Sequence, residues 1–256
     1  MSRANLNVRG PAFAAALAAA ALAAPVDRAA AVVGASQSDG RFADRVVMVL
    51  TRGVEEQAFC SGVVLGPRAV LTAAHCLRPT RDMAVFYRDA AGRPTLAAIE
   101  AVAVHPLYHA DAIARRIVSI DLALVETATP LDSRFAAAKL ASGDGPAVGE
   151  TTILAGYGVG REGEPLTGGT LRSAALATRA PLSKILLWAE DGAHAGAGAC
   201  SGDSGAPLFS ADGETVLAIV AWSAGASGRR CGTLTQGPLV APQRDWIDST
   251  LARWGQ

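Results

Sequence analysis

The chain has 256 residues, of which 50% are hydrophobic and 18% charged, and it contains 27 glycines. This composition allows a large buried core with many turns, as in one all-β domain or in two small barrels that share a core. Lysine plus arginine equals aspartate plus glutamate at 23 each. No bulk charge therefore attracts nucleic acid or an anionic membrane, and neither is expected as a partner.

The amino terminus combines a positively charged start with a short apolar stretch. Two arginines precede the alanine-rich residues 11–24, and this stretch is shorter than the roughly 20 residues that span a bilayer. It predicts a signal peptide, so the protein is expected to be secreted or periplasmic, with no membrane attachment after cleavage. A cut after Ala23 leaves a short propeptide that ends at Ala31, whereas a cut after Ala31 releases Val32 directly. Residues 1–31 are assigned to these segments.

The chain has four cysteines, and export to an oxidising compartment favours two disulfides over free thiols or zinc ligation. Four cysteines allow three pairings, and their spacing alone does not choose among them, although pairing sequence neighbours closes the shortest loops. These cysteines are Cys60, Cys76, Cys200 and Cys231.

Many short runs rich in valine, isoleucine, leucine and threonine follow, separated by glycine, proline and aspartate. They predict antiparallel strands, and the lack of strand and helix alternation disfavours an α/β fold. The turn-rich residues 141–150 are typical of a connection between two packed halves. We therefore expect one domain, residues 32–256, with a first half over about 32–140 and a second over about 151–241.

The end of the chain predicts a helix. After Pro242, Ile247, Leu251 and Trp254 recur at a spacing that puts them on one helical face. This pattern indicates an amphipathic α-helix over about 243–254.

Two segments of the first half carry a base and an acid. Val70–Cys76 (VLTAAHC) ends an apolar strand with His75, and a positioned imidazole is the usual general base. Ser119–Val125 (SIDLALV) puts Asp121 at the start of another apolar strand. There its carboxylate is partly desolvated and needs a donor, which a ring N–H of His75 would supply.

A segment of the second half carries a nucleophile. Cys200–Pro207 (CSGDSGAP) contains Ser204 in a glycine-rich turn, where the backbone N–H groups of Gly202 and Ser204 can form an oxyanion hole. The segment is not the G-x-S-x-G elbow of other hydrolases, because its second glycine directly follows the serine. Base, anion, nucleophile and donors together are what peptide-bond hydrolysis by a serine requires.

Taken in order, TAAHC (72–76), DLALV (121–125) and GDSGAP (202–207) resemble the signature segments of the trypsin/chymotrypsin-like serine endopeptidases. Val32–Ala35 resembles the mature amino terminus of that family. The likeness runs from Val32 to the terminal helix.

The resemblance implies an all-β fold of two antiparallel six-stranded β-barrels with a C-terminal α-helix and an active site in the cleft between them. It implies a serine endopeptidase that forms an acyl-enzyme with catalytic His75, Asp121 and Ser204, acts on protein or peptide substrates and needs no cofactor. A protease inhibitor is a further partner of this class, and a monomer is expected. The implied disulfides are Cys60–Cys76 and Cys200–Cys231.

The resemblance also implies a zymogen and a specificity pocket. A new α-amino group on Val32 would pair with Asp203 and organise the oxyanion hole. The base of the pocket falls at Gly198, where relatives that cut after arginine or lysine carry an aspartate, and its walls fall at Ser223 and Gly237. An apolar residue before the scissile bond, such as Leu, Met or Phe, is therefore expected, or Ala or Val if the wall closes further, and not Arg or Lys. A shift of the loop 195–199 by one residue would instead let an acid such as Glu190 or Asp191 reach the pocket.

Three other interpretations carry less weight. A catalytically silent relative that keeps the fold as a binding protein is the main alternative, but such relatives usually lose the histidine or the serine, and here both remain. An esterase of unrelated fold would need alternating strands and helices. No metal is expected, because the H-E-x-x-H and paired Cys-x-x-Cys patterns are missing from the sequence. The alanine-rich export segment and the few cysteines suggest a bacterial member of the family.

Overall fold

The computed structural model describes residue 1 and residues 32–34, 37–52, 57–194 and 196–256. The predicted signal peptide and propeptide, apart from Met1, lie outside the described residues. No helix in the described part of the chain is long and apolar enough to span a membrane.

Within these ranges the chain forms fifteen strands and two α-helices. The strands are β1 (Gln37–Ser38), β2 (Val46–Arg52), β3 (Gln57–Gly66), β4 (Ala69–Thr72), β5 (Met83–Arg88), β6 (Pro94–Val104), β7 (Ala123–Thr127), β8 (Lys139–Leu140), β9 (Thr151–Gly156), β10 (Arg172–Thr178), β11 (Leu186–Glu190), β12 (Pro207–Ser210), β13 (Thr215–Ile219), β14 (Trp222–Ala224) and β15 (Leu234–Pro238). The helices are α1 (Ala112–Arg115) and α2 (Arg244–Arg253).

The first half is a closed six-stranded barrel in the order β2-β3-β4-β7-β6-β5. Its strands are antiparallel. Alternating burial along β5 turns Val85 and Tyr87 inward, where they pack with Val49 and Val125. Every residue of β4 is buried, so the strand that leads to His75 is held on both faces.

The second half is a nine-stranded sheet in the order β14-β15-β11-β10-β9-β12-β13-β8, with β1 paired to β10. Six of these strands, β9 to β13 and β15, have four or more residues, and the other three are short. Its barrel-like core contains Leu154, Leu176, Leu187 and Leu208. The predicted all-β class and chymotrypsin-like architecture are confirmed, with short strands added to the second half.

Helix α2 is the last element of the chain. Ile247 is fully buried in a core cluster that includes Leu122 of the first half and Phe209 of the second. Full burial of such a side chain contributes about 1.5–3 kcal/mol. The ring of Trp246 also contacts that of His105 of the first half, with centroids 4.8 Å apart. The helix therefore packs across both halves and helps to fix their relative position.

Candidate active site

His75 and Asp121 are brought together at one end of the first barrel. His75 lies in a one-turn 3-10 helix, Ala74–Cys76, directly after β4, and the Cys60–Cys76 disulfide ties this turn to β3. The backbone N–H of His75 donates to Asp121 Oδ1 at 2.9 Å, and its Nδ1 lies 2.6 Å from Asp121 Oδ2.

The contact between Nδ1 of His75 and Asp121 determines the roles of the two ring nitrogens. A carboxylate accepts hydrogen bonds, so the Asp121 side chain favours the tautomer with the proton on Nδ1. Nε2 of His75 is then an acceptor, and it lies 2.9 Å from Ser204 Oγ. The His75 side chain is 37% exposed and that of Asp121 only 18%. The base is thus open to a substrate while the anion that orients it is largely covered.

The turn around Ser204 requires glycine on both sides. Gly202 has φ +93°, and a Cβ there would lie 2.3 Å from the ring of Phe59. Gly205 has φ +82°, and its Cβ would lie 2.1 Å from both Ser61 O and Thr72 Oγ1. Only glycine combines this backbone conformation with such close approach to the first barrel.

Two backbone N–H groups of this turn are available as oxyanion donors. Within the described part of the chain, neither Gly202 N–H nor Ser204 N–H donates to a protein acceptor. Val159 N–H donates to Ser201 O at 2.8 Å. Because the carbonyl and N–H of a trans peptide point in opposite directions, this bond turns Gly202 N–H toward the other side.

Asp203 is a fully buried carboxyl behind the turn. It accepts Gly158 N–H on Oδ1 at 2.8 Å and Cys200 N–H on Oδ2 at 3.0 Å. Burial raises its pKa to about 7, although these two N–H groups and the charge of Arg172 act in the opposite direction. A buried carboxylate of this kind calls for a further positive partner.

Val32, the predicted new amino terminus, lies beside the loop that contains Gly198. Val32 is fully buried among Leu154 and Ala206 of the second-half core. The next residue, Val33, exchanges both backbone hydrogen bonds with Gly198, at 3.1 and 3.0 Å.

The structure gives the neighbourhood of the predicted pocket base. A Cβ on buried Gly198 would lie 3.3 Å from Gly232 Cα and from Thr235 Oγ1. Thr235 Oγ1 in turn accepts the N–H of Ala199 at 3.0 Å. The disulfide Cys200–Cys231 joins the two segments, because Cys200 lies two residues after Gly198 and Cys231 directly precedes Gly232.

The two predicted walls differ in position. Ser223 lies in β14, and its hydroxyl donates to Arg230 O at 2.9 Å. Gly237 lies in β15, where its Cβ would be 1.7 Å from Ile219 O. The residue of β15 in contact with Gly198 is therefore Thr235, two positions before Gly237.

A cavity of about 890 Å³ opens beside His75, and sequence reasoning did not identify it. It is lined by His75 and Asp121 together with Tyr108, Val118, Ile185 and Trp222, among others. Burial, and then the charge of Asp121, raise the pKa of the Tyr108 hydroxyl, which therefore stays protonated at neutral pH. Val118, Ile185 and Trp222 give this cavity an apolar wall next to His75.

One cluster of residue types suited to a metal lies in the described residues, formed by Cys60, His75 and Cys76. Its two sulfurs are joined in a disulfide, whereas cysteine ligates a metal as the thiolate.

The sequence matches one family model and is similar to several known proteins. A model of the Trypsin family matches residues 31–247. Human "Transmembrane protease serine 5" is 29% identical over 223 residues, which cover 75% of this chain and 46% of that protein. "Trypsin eta" of Drosophila melanogaster is 27% identical over 237 residues, 84% of this chain and 87% of that protein.

Solved structures share the fold. Neuropsin from mouse brain superposes with a TM-score of 0.69 at 21% identity, over 85% of this chain and 99% of that one. An inactivated protease paralogue of the scabies mite also has a TM-score of 0.69, at 23% identity, over 86% and 99%. At such identities the likeness concerns the fold alone.

Proposed function

The chain belongs to the trypsin family of serine endopeptidases, and from this premise we propose that His75, Asp121 and Ser204 hydrolyse peptide bonds through an acyl-enzyme. The observation that carries the proposal is one continuous hydrogen-bonded chain. It runs from Asp121 Oδ2 to His75 Nδ1 at 2.6 Å and from His75 Nε2 to Ser204 Oγ at 2.9 Å. Such a chain is the arrangement that activates a serine.

Each group has a defined task in this mechanism. Ser204 Oγ attacks the scissile carbonyl carbon while His75 Nε2 takes its proton, and Asp121 stabilises the imidazolium without itself becoming protonated. The negative oxygen of the tetrahedral intermediate accepts hydrogen bonds from Gly202 and Ser204 N–H. His75 then protonates the leaving amine, and water attacks the acyl-enzyme by the same route in reverse.

For specificity, we propose cleavage after an apolar residue such as Leu, Met or Phe. Gly198 offers no charge at the pocket base, and the nearest groups are the neutral Gly232 and Thr235. A buried arginine or lysine without a carboxylate partner costs several kcal/mol. With Ser223 and Gly237 as the proposed walls and Thr235 near Gly198, the pocket suits an uncharged side chain.

For activation, we propose that cleavage before Val32 creates an amino group that pairs with Asp203. The full burial of Asp203 and of Val32 supports this pairing, because a buried carboxylate is stabilised by an opposite charge. The domain bounds given above, 32–256 with a preceding signal segment, are part of the same proposal.

The biological setting is also a proposal. The alanine-rich start and the two disulfides support export and a bacterial source, although the relatives named above are animal proteins. We propose that the mature protein is a monomer that acts on proteins or peptides outside the cytoplasm and is open to protease inhibitors.

The test is labelling of the purified protein, cleaved before Val32, with a fluorophosphonate, followed by peptide mapping. We expect one labelled residue, Ser204, and no label in Ser204→Ala. A folded protein that takes no label would favour the alternative of a silent binding protein, a possibility raised by the same fold in an inactivated paralogue. Label on another serine would contradict the assignment of the nucleophile.

A further inference from the structure

Ser61 lies where the two halves meet and takes no part in the mechanism above. It follows Cys60 in β3 of the first barrel and is fully buried. Its hydroxyl donates to the carbonyl oxygen of Gly202 at 2.9 Å and accepts the N–H of Tyr157 at 3.0 Å. A hydroxyl has a single hydrogen to donate, so this hydrogen is committed to Gly202.

The backbone of Ser61 makes a second contact with the same turn. Its N–H donates to the carbonyl oxygen of Ser204 at 2.8 Å. One residue of the first barrel therefore binds the carbonyl groups of both Gly202 and Ser204, the residues whose N–H groups are the proposed oxyanion donors.

The bond to Gly202 O acts on the peptide group between the two donors. Gly202 N–H belongs to the peptide before Gly202, and Ser204 N–H to the peptide after Asp203. The peptide that joins Gly202 to Asp203 lies between them, so its rotation changes the angle between the two N–H vectors. Glycine allows such rotation at low cost, and Gly202 is already in the left-handed region at φ +93°.

We propose that the Ser61 hydroxyl is a positioning group for the oxyanion hole, which holds this central peptide so that Gly202 N–H and Ser204 N–H converge on one point. The proposal rests on the proposed function. Ser61 touches no reacting atom and acts only through the turn that it holds.

The expected effect is selective for the transition state. The oxyanion forms only as the reaction proceeds, so loss of its alignment lowers kcat and leaves KM nearly unchanged. Removing an oxyanion donor outright costs about 10²–10³ in kcat. Ser61→Ala keeps both donors and removes one of the two hydrogen bonds that hold the peptide between them, since Asp203 N–H still donates to Cys200 O at 3.0 Å. We therefore expect a smaller loss of about tenfold. His75 and Asp121 are not contacted, so the acid limb of the pH profile should stay in place.

The experiment compares Ser61→Ala with Ser61→Thr, which keeps a hydroxyl, and with Thr51→Val. Thr51 donates from Oγ1 to Ala58 O at 3.1 Å in the same barrel, a bond that does not involve the turn, so this control removes a similar hydroxyl. Values of kcat and KM are measured on a chromogenic peptide. Affinity is measured for a peptide boronate, whose tetrahedral adduct puts an oxygen in the hole.

We expect Ser61→Ala to lose kcat and boronate affinity by the same factor of about ten, with Ser61→Thr closer to wild type and Thr51→Val unchanged. Ser61→Gly removes the same hydroxyl and replaces Ser61→Ala if that variant does not fold by circular dichroism. An unchanged kcat, an equal loss in Thr51→Val, a threonine variant no better than alanine, or a displaced acid limb would each overturn the positioning role. Absence of both turnover and fluorophosphonate labelling in the wild-type protein cleaved before Val32 would instead overturn the proposed function, and this proposal with it.

Discussion

A free amino group at Val32 should change how stability depends on pH, because Asp203 is fully buried. Burial raises the pKa of this carboxyl from 3.8 to about 7, against the opposing effects of the Cys200 and Gly158 N–H groups and of Arg172. Each unit by which the pKa differs between the folded and the unfolded state corresponds to about 1.36 kcal/mol. The buried charge therefore lowers the free energy of unfolding by about 4 kcal/mol.

The direction of the effect follows from proton linkage. Between pH 3.8 and about 7 the folded, uncleaved protein keeps a proton on Asp203 that the unfolded chain has already released. Its free energy of unfolding therefore falls as the pH rises through this window, by about 4 kcal/mol from this one group. Relative to the charged form, the protonated carboxyl of Asp203 stabilises the folded protein fully below pH 3.8, and this stabilisation is lost above about pH 7.

Cleavage before Val32 should abolish this dependence. A positive amino group beside Asp203 favours the charged carboxylate and lowers its pKa, while the pKa of the amine rises above its ordinary value of about 8. The cleaved form then keeps its stability up to neutral pH and loses it only when the amine releases its proton. The difference between the two forms should grow to about 4 kcal/mol near pH 7.5.

Urea unfolding followed by tryptophan fluorescence tests this prediction. Two Ser204→Ala proteins, one beginning at Val32 and one at Ala29, are compared from about pH 4 to 8. Buried groups such as His105, whose pKa is lowered by desolvation, titrate in both forms and cancel in the difference. Asp203→Asn should remove the difference. Parallel pH profiles for the two forms would refute the ion-pair argument.

Three further predictions concern catalysis and packing. Ser204→Ala or His75→Ala should each lower kcat about a millionfold and the double variant little further, because the groups act as a unit; additive losses would contradict a shared proton transfer. On peptides that differ only before the scissile bond, Phe or Leu should exceed Arg in kcat/KM, and a preference for Arg above tenfold would refute the pocket assignment. Gly205→Ala should destabilise the fold by more than about 3 kcal/mol, because its Cβ would overlap Ser61 O at 2.1 Å; calorimetry that finds wild-type stability would contradict the packing.

The catalytic constellation was accessible from the sequence because each member has a local signature. His75 ends an apolar strand beside a cysteine, Asp121 begins another, and Ser204 lies between glycines. These patterns predict which residues can meet, and the structure brings the three side chains within hydrogen-bond distance. Runs rich in valine, isoleucine, leucine and threonine likewise predict the strands. Burial alternates along β5 and β10, whereas β4 and β7 are buried throughout.

The pocket wall shows what strand patterns leave open. Gly237 is the predicted wall and lines the cavity beside His75, while Thr235 of the same strand lies near Gly198. A displacement by two residues keeps the same face of a strand, so no hydrophobic pattern separates the two choices. The loop between Ser223 and Cys231 also has no regular pattern from which the register could be counted.

Ser61 was missed for a different reason. Its partners, Gly202 and Tyr157, are 141 and 96 residues away along the chain, and a serine after a cysteine carries no local sign of such contacts. Contacts between separate halves depend on how two barrels pack, which strand patterns do not specify.

The catalytic turn thus belongs to the second half by sequence but takes its shape from the first. Gly202 lies against Phe59 and Gly205 against Ser61, while Ser61 N–H binds the carbonyl of Ser204 itself. The proposed base and its anion come wholly from the first barrel, so the proposed proton transfer and oxyanion geometry both depend on the same interface. A small shift between the halves would disturb them together, because packed backbones transmit displacement instead of absorbing it. Substitutions at this interface are therefore expected to change kcat without touching a substrate.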